Sequence, residues 1–243
     1  MTIPPRIRLD LLVTTALLIG LIAWDVSGAD LSVVRLFADL DGFVERDSWW
    51  ASTLLHSGGR WAAWGLAAGL LVVAIRTPTA VARGPGRSER ALWLGTMFLC
   101  ALTVPAMKGV SLTSCPWDLT AFGGVARYVS HWRLGVPDGG PGHCFPAGHA
   151  VAAFAFLGMY FLWREHHAGR ARLWLAGVLG LGVLFGFAQL ARGAHYVSHT
   201  LWSAWICWVI GVAASAAFHH RTARLNAAGS RPKMSALETQ GLS

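Results

Sequence analysis

The chain has 243 residues, of which 54% are hydrophobic and only 13% charged, with a formal net charge of +8. A soluble domain carries about 25% charged residues, so a surface that faces water throughout is excluded, and so is disorder over most of the chain. The basic residues lie between apolar runs, which points to a membrane surface rather than to nucleic acid.

Six apolar segments stand out, and runs near 20 residues match helices that cross a hydrocarbon core of roughly 30 Å. The first, 9–26, follows Arg6 and Arg8. No clean small-residue cleavage site follows, so it reads as an uncleaved helix rather than a signal peptide. The loop 25–59 carries Leu31, Val34, Leu36, Phe37 and Leu40, then Trp49 and Trp50. It reads either as an interfacial amphipathic segment with an aromatic anchor or as a helix packed over the bundle mouth. Spans at 60–76 and 91–107 follow, then the loop 108–148, rich in Gly, Pro, His and Cys. A short span at 149–163 and two more at 172–191 and 199–218 complete the set. The expected fold is all-α, a polytopic six-helix transmembrane bundle in one domain over 1–220. A polar, basic and loose cytoplasmic tail is expected over 221–243.

With the N-terminus inside, thirteen of the twenty Lys and Arg fall on the cytoplasmic side, and eight of the twelve acids fall outside. The bias of basic residues toward cytoplasmic loops is then satisfied with both termini cytoplasmic. On that topology Lys108 ends the third span, His149 starts the fourth, Arg192 ends the fifth, and His195 and His199 begin the sixth. All meet at one membrane face. Ionisable groups at membrane depth are costly, so such a cluster points to function. Two imidazoles with a Lys and an Arg suit phosphoryl transfer: cations stabilise the transferring oxygens, one imidazole attacks phosphorus, and the other protonates the leaving oxygen. The segment Phe145–Pro146–Ala147–Gly148–His149 opens a helix, and its N–H groups, that of Gly148 among them, add an anion site.

The order of these residues resembles the type 2 phosphatidic acid phosphatase superfamily of membrane lipid phosphatases. That family has three motifs: a Lys with Arg-Pro seven residues on, Pro-Ser-Gly-His, and Ser-Arg with a later His and Asp. Here the first runs from Lys108 through Cys115–Pro116, the second is Pro146–Ala147–Gly148–His149, and the third lies in Ala188–His199. The resemblance covers roughly 60–215. It implies His195 as nucleophile, His149 as general acid, Lys108 and Arg192 as phosphate ligands, and Gln189 as a lesser donor. The departures are Cys115 for the first Arg, Ala147 for the motif Ser, Gln189 at the third-motif Arg position, and His199 for the Asp. Arg192, one helical turn beyond Gln189, reaches the same phosphate from the next turn. A neutral His199 can accept a hydrogen bond from His195, and Asp118 is the candidate to supply the missing charge.

Cys115 and Cys144 both fall in the outer loop, where an oxidising compartment allows a disulfide that would tie the first motif to the second. A metal site is the competing reading of His195 and His199 at four-residue spacing, with His143, Cys144, Cys115, Asp118 and His131 as further ligands. No close-spaced Cys pair or His-Glu motif supports it, so no metal or cofactor is expected. The functional expectation is a bacterial inner-membrane hydrolase with its site on the periplasmic face, acting through a phosphohistidine. Its partner would be an outward-facing phosphorylated lipid: undecaprenyl pyrophosphate, lipid A, phosphatidylglycerophosphate or phosphatidic acid. Two alternatives stand beside it: a lipid-to-lipid phosphotransferase on the same site, and a non-catalytic lipid-binding protein. The sequence gives no oligomeric state.

Overall fold

The computed structural model describes residues 4–39, 42–78 and 84–229. Leu40 of the first loop and residues 230–243 of the expected tail lie outside the described residues. Among those described, regular structure is helical, and β-type pairing is limited to two isolated bridges.

Helix α1 spans Pro5–Ser27, and Pro5 at its first turn has no N–H to leave unpaired. It ends at Gly28, which is left-handed at φ 69°. The short helix α2, Ala29–Val34, and a 3-10 turn, Arg35–Phe37, follow. Residues Trp49–Gly58 are wound as a π-helix that runs directly into α3, Gly59–Arg76. Next come α4, Arg87–Gly109, then the fragments α5, Val151–Phe154, and α6, Leu157–Arg164, and finally α7, Ala168–Ala191, and α8, Val197–Gly229.

Among the described residues, five helices are long and apolar enough to cross a membrane: 5–27, 49–76, 87–109, 168–191 and 197–226. The expected fourth span is instead a 3-10 turn at Gly148–Ala150 followed by helices of 4 and 8 residues. It is buried among the longer helices rather than set against lipid: Val151, Phe154, Phe156, Leu157 and Phe161 pack with Trp93, Met97 and Cys100 of α4 and with Cys207 of α8. The expected loose tail also needs correction, because α8 continues through residues 221–229.

The loop 25–59 takes the second of its two expected forms. Val34 is fully buried, and Leu31, Val33 and Phe37 pack with Phe43, Leu119, Phe122 and Tyr196 over one end of the bundle. Trp49 and Trp50 belong to the second long helix, which begins there rather than at residue 60. Asp30 fixes this cover: it accepts from Trp24 Nε1 at 2.8 Å and from the Ser198 N–H at 3.0 Å, and it bonds the Ser198 hydroxyl.

The opposite end of the bundle is held by charge. Arg164 donates to both oxygens of Asp10 at 2.9 Å and to Ser215 Oγ at 2.7 Å. Arg6 pairs with Glu165, and His219 lies 3.8 Å from the same carboxylate. The start of α1, the end of α6 and the latter half of α8 therefore share one end. Lys108, His149 and His195 occupy the other.

Candidate active site

The outer loop is pinned before it delivers any side chain. Cys115 and Cys144 are joined by a disulfide with Cα atoms 5.1 Å apart. Beside it the N–H of His143 reaches Ser111 O at 2.8 Å, and that of Cys144 reaches Thr113 O at 2.9 Å. Asp138, 2% exposed, accepts from the Ser114 N–H at 2.6 Å, its hydroxyl at 2.8 Å, and the Gly140 N–H at 2.9 Å.

Two turns then present the histidines. At the end of α7 the N–H groups of Ala194 and His195 return to Gln189 O at 2.8 and 3.2 Å, with Gly193 left-handed at φ 69°. This glycine-based helix ending satisfies a carbonyl that would otherwise be orphaned. It turns the chain so that His195 faces the bundle. The Pro146–Ala147–Gly148–His149 segment is tied to the start of α8: Ala147 N–H donates to His199 O at 3.1 Å, and Ser203 Oγ donates to Ala147 O at 2.9 Å. His149 thus sits within a 3-10 turn, Gly148–Ala150, not at the start of the regular helix that was expected.

Lys108, Gly148, His149 and His195 line one cavity of about 440 Å³. Gly148 lies against the lysine: a Cβ there would make ordinary contact with Lys108 Cδ at 3.4 Å and with its Nζ at 3.9 Å. His149, 8% exposed, directs Nε2 at Leu55 O, 3.1 Å away, and stacks on His56 with ring centres 4.4 Å apart. Leu55 stands where the π-helix gives way to α3. Gln189 lies beside the His56 ring, and its own Nε2 is buried without a partner. Arg192 donates from Nε to Arg46 O at 2.7 Å and reaches Gln189 Oε1 at 3.5 Å. It also lies over the Trp117 ring at 5.7 Å. The cavity continues away from these polar groups along Ala63, Ala67, Leu94, Met97, Ala101 and Phe156.

His195 is 4% exposed, and its Nδ1 lies 3.4 Å from Cys144 Sγ. Burial, then the neighbouring Lys108 and His149, hold its pKa well below 6.5, because an imidazolium in a dry site beside a cation is disfavoured. His199 is 1% exposed with its ring centre 5.8 Å from that of His195, and its Nδ1 has no hydrogen-bond partner. His131 stands 5.8 Å from His199 on the other side, and its Nε2 is 3.3 Å from Asp25. Burial outweighs that carboxylate and keeps His131 below its ordinary pKa.

Asp118 is engaged within its own loop. Its Oδ2 accepts from the Cys115 N–H at 3.2 Å and closes its own turn, and burial raises its pKa. Of the residues named for a metal, Cys115, Cys144 and His195 come within 4.8 Å of one another, but the two sulfurs are bonded to each other. Metal binding by cysteine needs a thiolate, so this donor set fits a metal poorly.

Sequence reasoning passed over His56 and Arg60, which line the same cavity. The available signal was their four-residue spacing, which puts them on one helix face. It was obscured because hydropathy started the second span at residue 60.

A family model described as the PAP2 superfamily matches residues 90–223. No curated protein and no solved structure matches the chain.

Proposed function

Because the chain belongs to the PAP2 superfamily, a superfamily of phosphatases, we propose that it is a membrane lipid phosphatase working through a phosphohistidine. The observation that carries this reading is the cavity, polar at Lys108, His149 and His195 and apolar along Leu94, Met97 and Phe156. A molecule that fills it has an anionic head and a hydrocarbon tail. Its volume lies in the range of single-ligand pockets, roughly 300–1,000 Å³, which suits one chain entering beside the head.

In the proposed first step His195 Nε2 attacks phosphorus and the bond from phosphorus to the leaving oxygen breaks. His149 gives that oxygen its proton. In the second step His149 takes a proton from water, whose oxygen attacks phosphorus, and the phosphorus–nitrogen bond breaks to release orthophosphate. The approach of His195 Nδ1 to Cys144 Sγ favours the tautomer with hydrogen on Nδ1 and the lone pair on Nε2. Lys108 and the Gly148 N–H, which line the cavity, hold the phosphate oxygens; Arg192 and Gln189, outside that lining and beside His56, add to the positive field and donor set around them. Cations placed this way supply the charge that a metal gives elsewhere, so turnover is expected to survive chelators. His199 stands where a carboxylate would orient the nucleophile. It can accept a hydrogen bond but cannot offset an imidazolium charge, so charge stabilisation falls to the phosphate itself.

The site lies on the extracytoplasmic face in this reading, with both termini cytoplasmic. The test is phosphate release by protein purified in detergent across a panel of lipid phosphates, with His149→Ala as control. Release that is lost in the variant and unaffected by EDTA supports the proposal. No release from any lipid would sink hydrolysis; turnover that appears only with an added lipid alcohol would make the protein a phosphotransferase.

A further inference from the structure

The cations around the histidine pair exceed what one phosphate group needs, and they are not evenly placed. Arg192 and Gln189 stand beside His56 and His149 without lining the cavity, whereas Lys108, His56 and Arg60 line it. Arg60 follows His56 by four residues, so along the helix it sits about one turn, roughly 5 Å, nearer the apolar end. The next residues of α3 on that wall are Ala63 and Ala67. A second cation on the cavity wall, close enough to act on both His56 and His149, exceeds what a simple monoester needs, because its leaving oxygen is bonded straight to carbon. It is well placed for an anion that remains on the lipid. His56 lines the same wall and stacks on His149, which puts an imidazole beside the bound anion. His56 and Arg60 precede residue 90 and lie outside the part of the chain that matches the superfamily.

We propose that His56 and Arg60 form a second anion subsite for the phosphate that stays on the lipid, making a lipid diphosphate the preferred substrate. The assignment rests on the phosphatase reading above. His195 attacks the terminal phosphorus and the bond to the bridging oxygen breaks. His149 protonates that oxygen, and water then releases orthophosphate from His195, leaving a lipid monophosphate. Arg60 faces the charge that develops on the departing phosphate, and a cation at that position lowers the barrier. A snorkelling Arg60 that merely reaches headgroups would favour neither substrate.

The test uses the full-length protein in detergent with farnesyl diphosphate and farnesyl monophosphate as probes. The wild type is expected to favour the diphosphate in kcat/KM, and Arg60→Gln to shrink that preference about tenfold or more, as expected for losing a hydrogen bond to a charged group. Arg60→Lys should restore part of it. Equal losses on both substrates, or a wild type that prefers the monophosphate, would overturn the subsite. A second measurement does not depend on turnover. Inorganic pyrophosphate should raise the thermal midpoint more than orthophosphate at equal concentration, and Arg60→Gln should remove the difference. If neither lipid is hydrolysed while pyrophosphate still protects, the phosphatase reading fails and the subsite stands; equal protection by the two anions removes the subsite.

Discussion

In the proposed mechanism His195 must be neutral to attack, and its surroundings favour that form. Burial, Lys108, His149 and His56 all lower its pKa, against a hydrogen bond to the Cys144 backbone that raises it; His199 packs against it from α8. For a group depressed in the folded state the sign is fixed. The neutral form and the stability tied to it are fully present above 6.5 and are lost as pH falls toward the folded-state value. The acid limb of kcat/KM, after the substrate's own titration is divided out, is therefore expected below pH 6.5. A limb centred above that value would contradict the burial argument. His195→Ala should lower kcat by about 10⁴-fold or more while the protein elutes and melts as the wild type does. Retained turnover would remove His195 as nucleophile.

The elements that carry the site were legible to different degrees, and the reasons are physical. The motif residues Lys108, His149 and His195 were readable because they stand at the edges of different apolar runs yet gather at one face, in the order of a known family's motifs. The start of α4 was missed by four residues because Glu89 and Arg90 look like loop, yet both are buried with partners. Arg90 donates to the carbonyls of Pro85 at 2.7 Å and Thr77 at 2.9 Å, and Glu89 meets His166 at 2.9 Å. Hydropathy cannot register a charge that brings its own partners indoors. The π-helix was missed for a related cause: Ser52, Thr53, His56 and Ser57 dilute the apolar signal of the helix that carries His56 to the cavity. The broken fourth span could not be foreseen, since its apolar composition suits a protein core as well as lipid. At the end of α7, Gly193 permits a direct prediction. A Cβ there would meet Phe43 Cδ2 at 2.3 Å on a backbone at φ 69°. Gly193→Ala should cost about 1–3 kcal/mol, read as a lower thermal midpoint, and should lower kcat because His195 lies two residues on. An unchanged midpoint would mean that the Phe43 cover yields freely.

Across the whole molecule, the two ends of the bundle differ in the chemistry that closes them. One end is held by Arg164–Asp10, Arg6–Glu165 and His166–Glu89 pairs, and the other by a disulfide, a buried Asp138 network and a packed loop. A disulfide persists in an oxidising compartment, and the excess of Lys and Arg lies toward the ion-paired end. The two arguments are independent, and both support the proposal that the site lies outside the cytoplasm. Leu134, 87% exposed in the outer loop, and Leu225, 62% exposed near the end of α8, offer positions for a direct test. The native Cys100 and Cys207 are buried, and the other two cysteines are bonded to each other, so background labelling is expected to be low. In intact cells a membrane-impermeant maleimide should modify Leu134→Cys and spare Leu225→Cys, and permeabilisation should expose the second. The reverse pattern would place the phosphate-binding groups in the cytoplasm, and substrate would then have to be sought in the inner leaflet. Modification of both positions before permeabilisation would mean that the last helix does not carry the chain across the bilayer, against the positive-inside distribution on which the orientation rests.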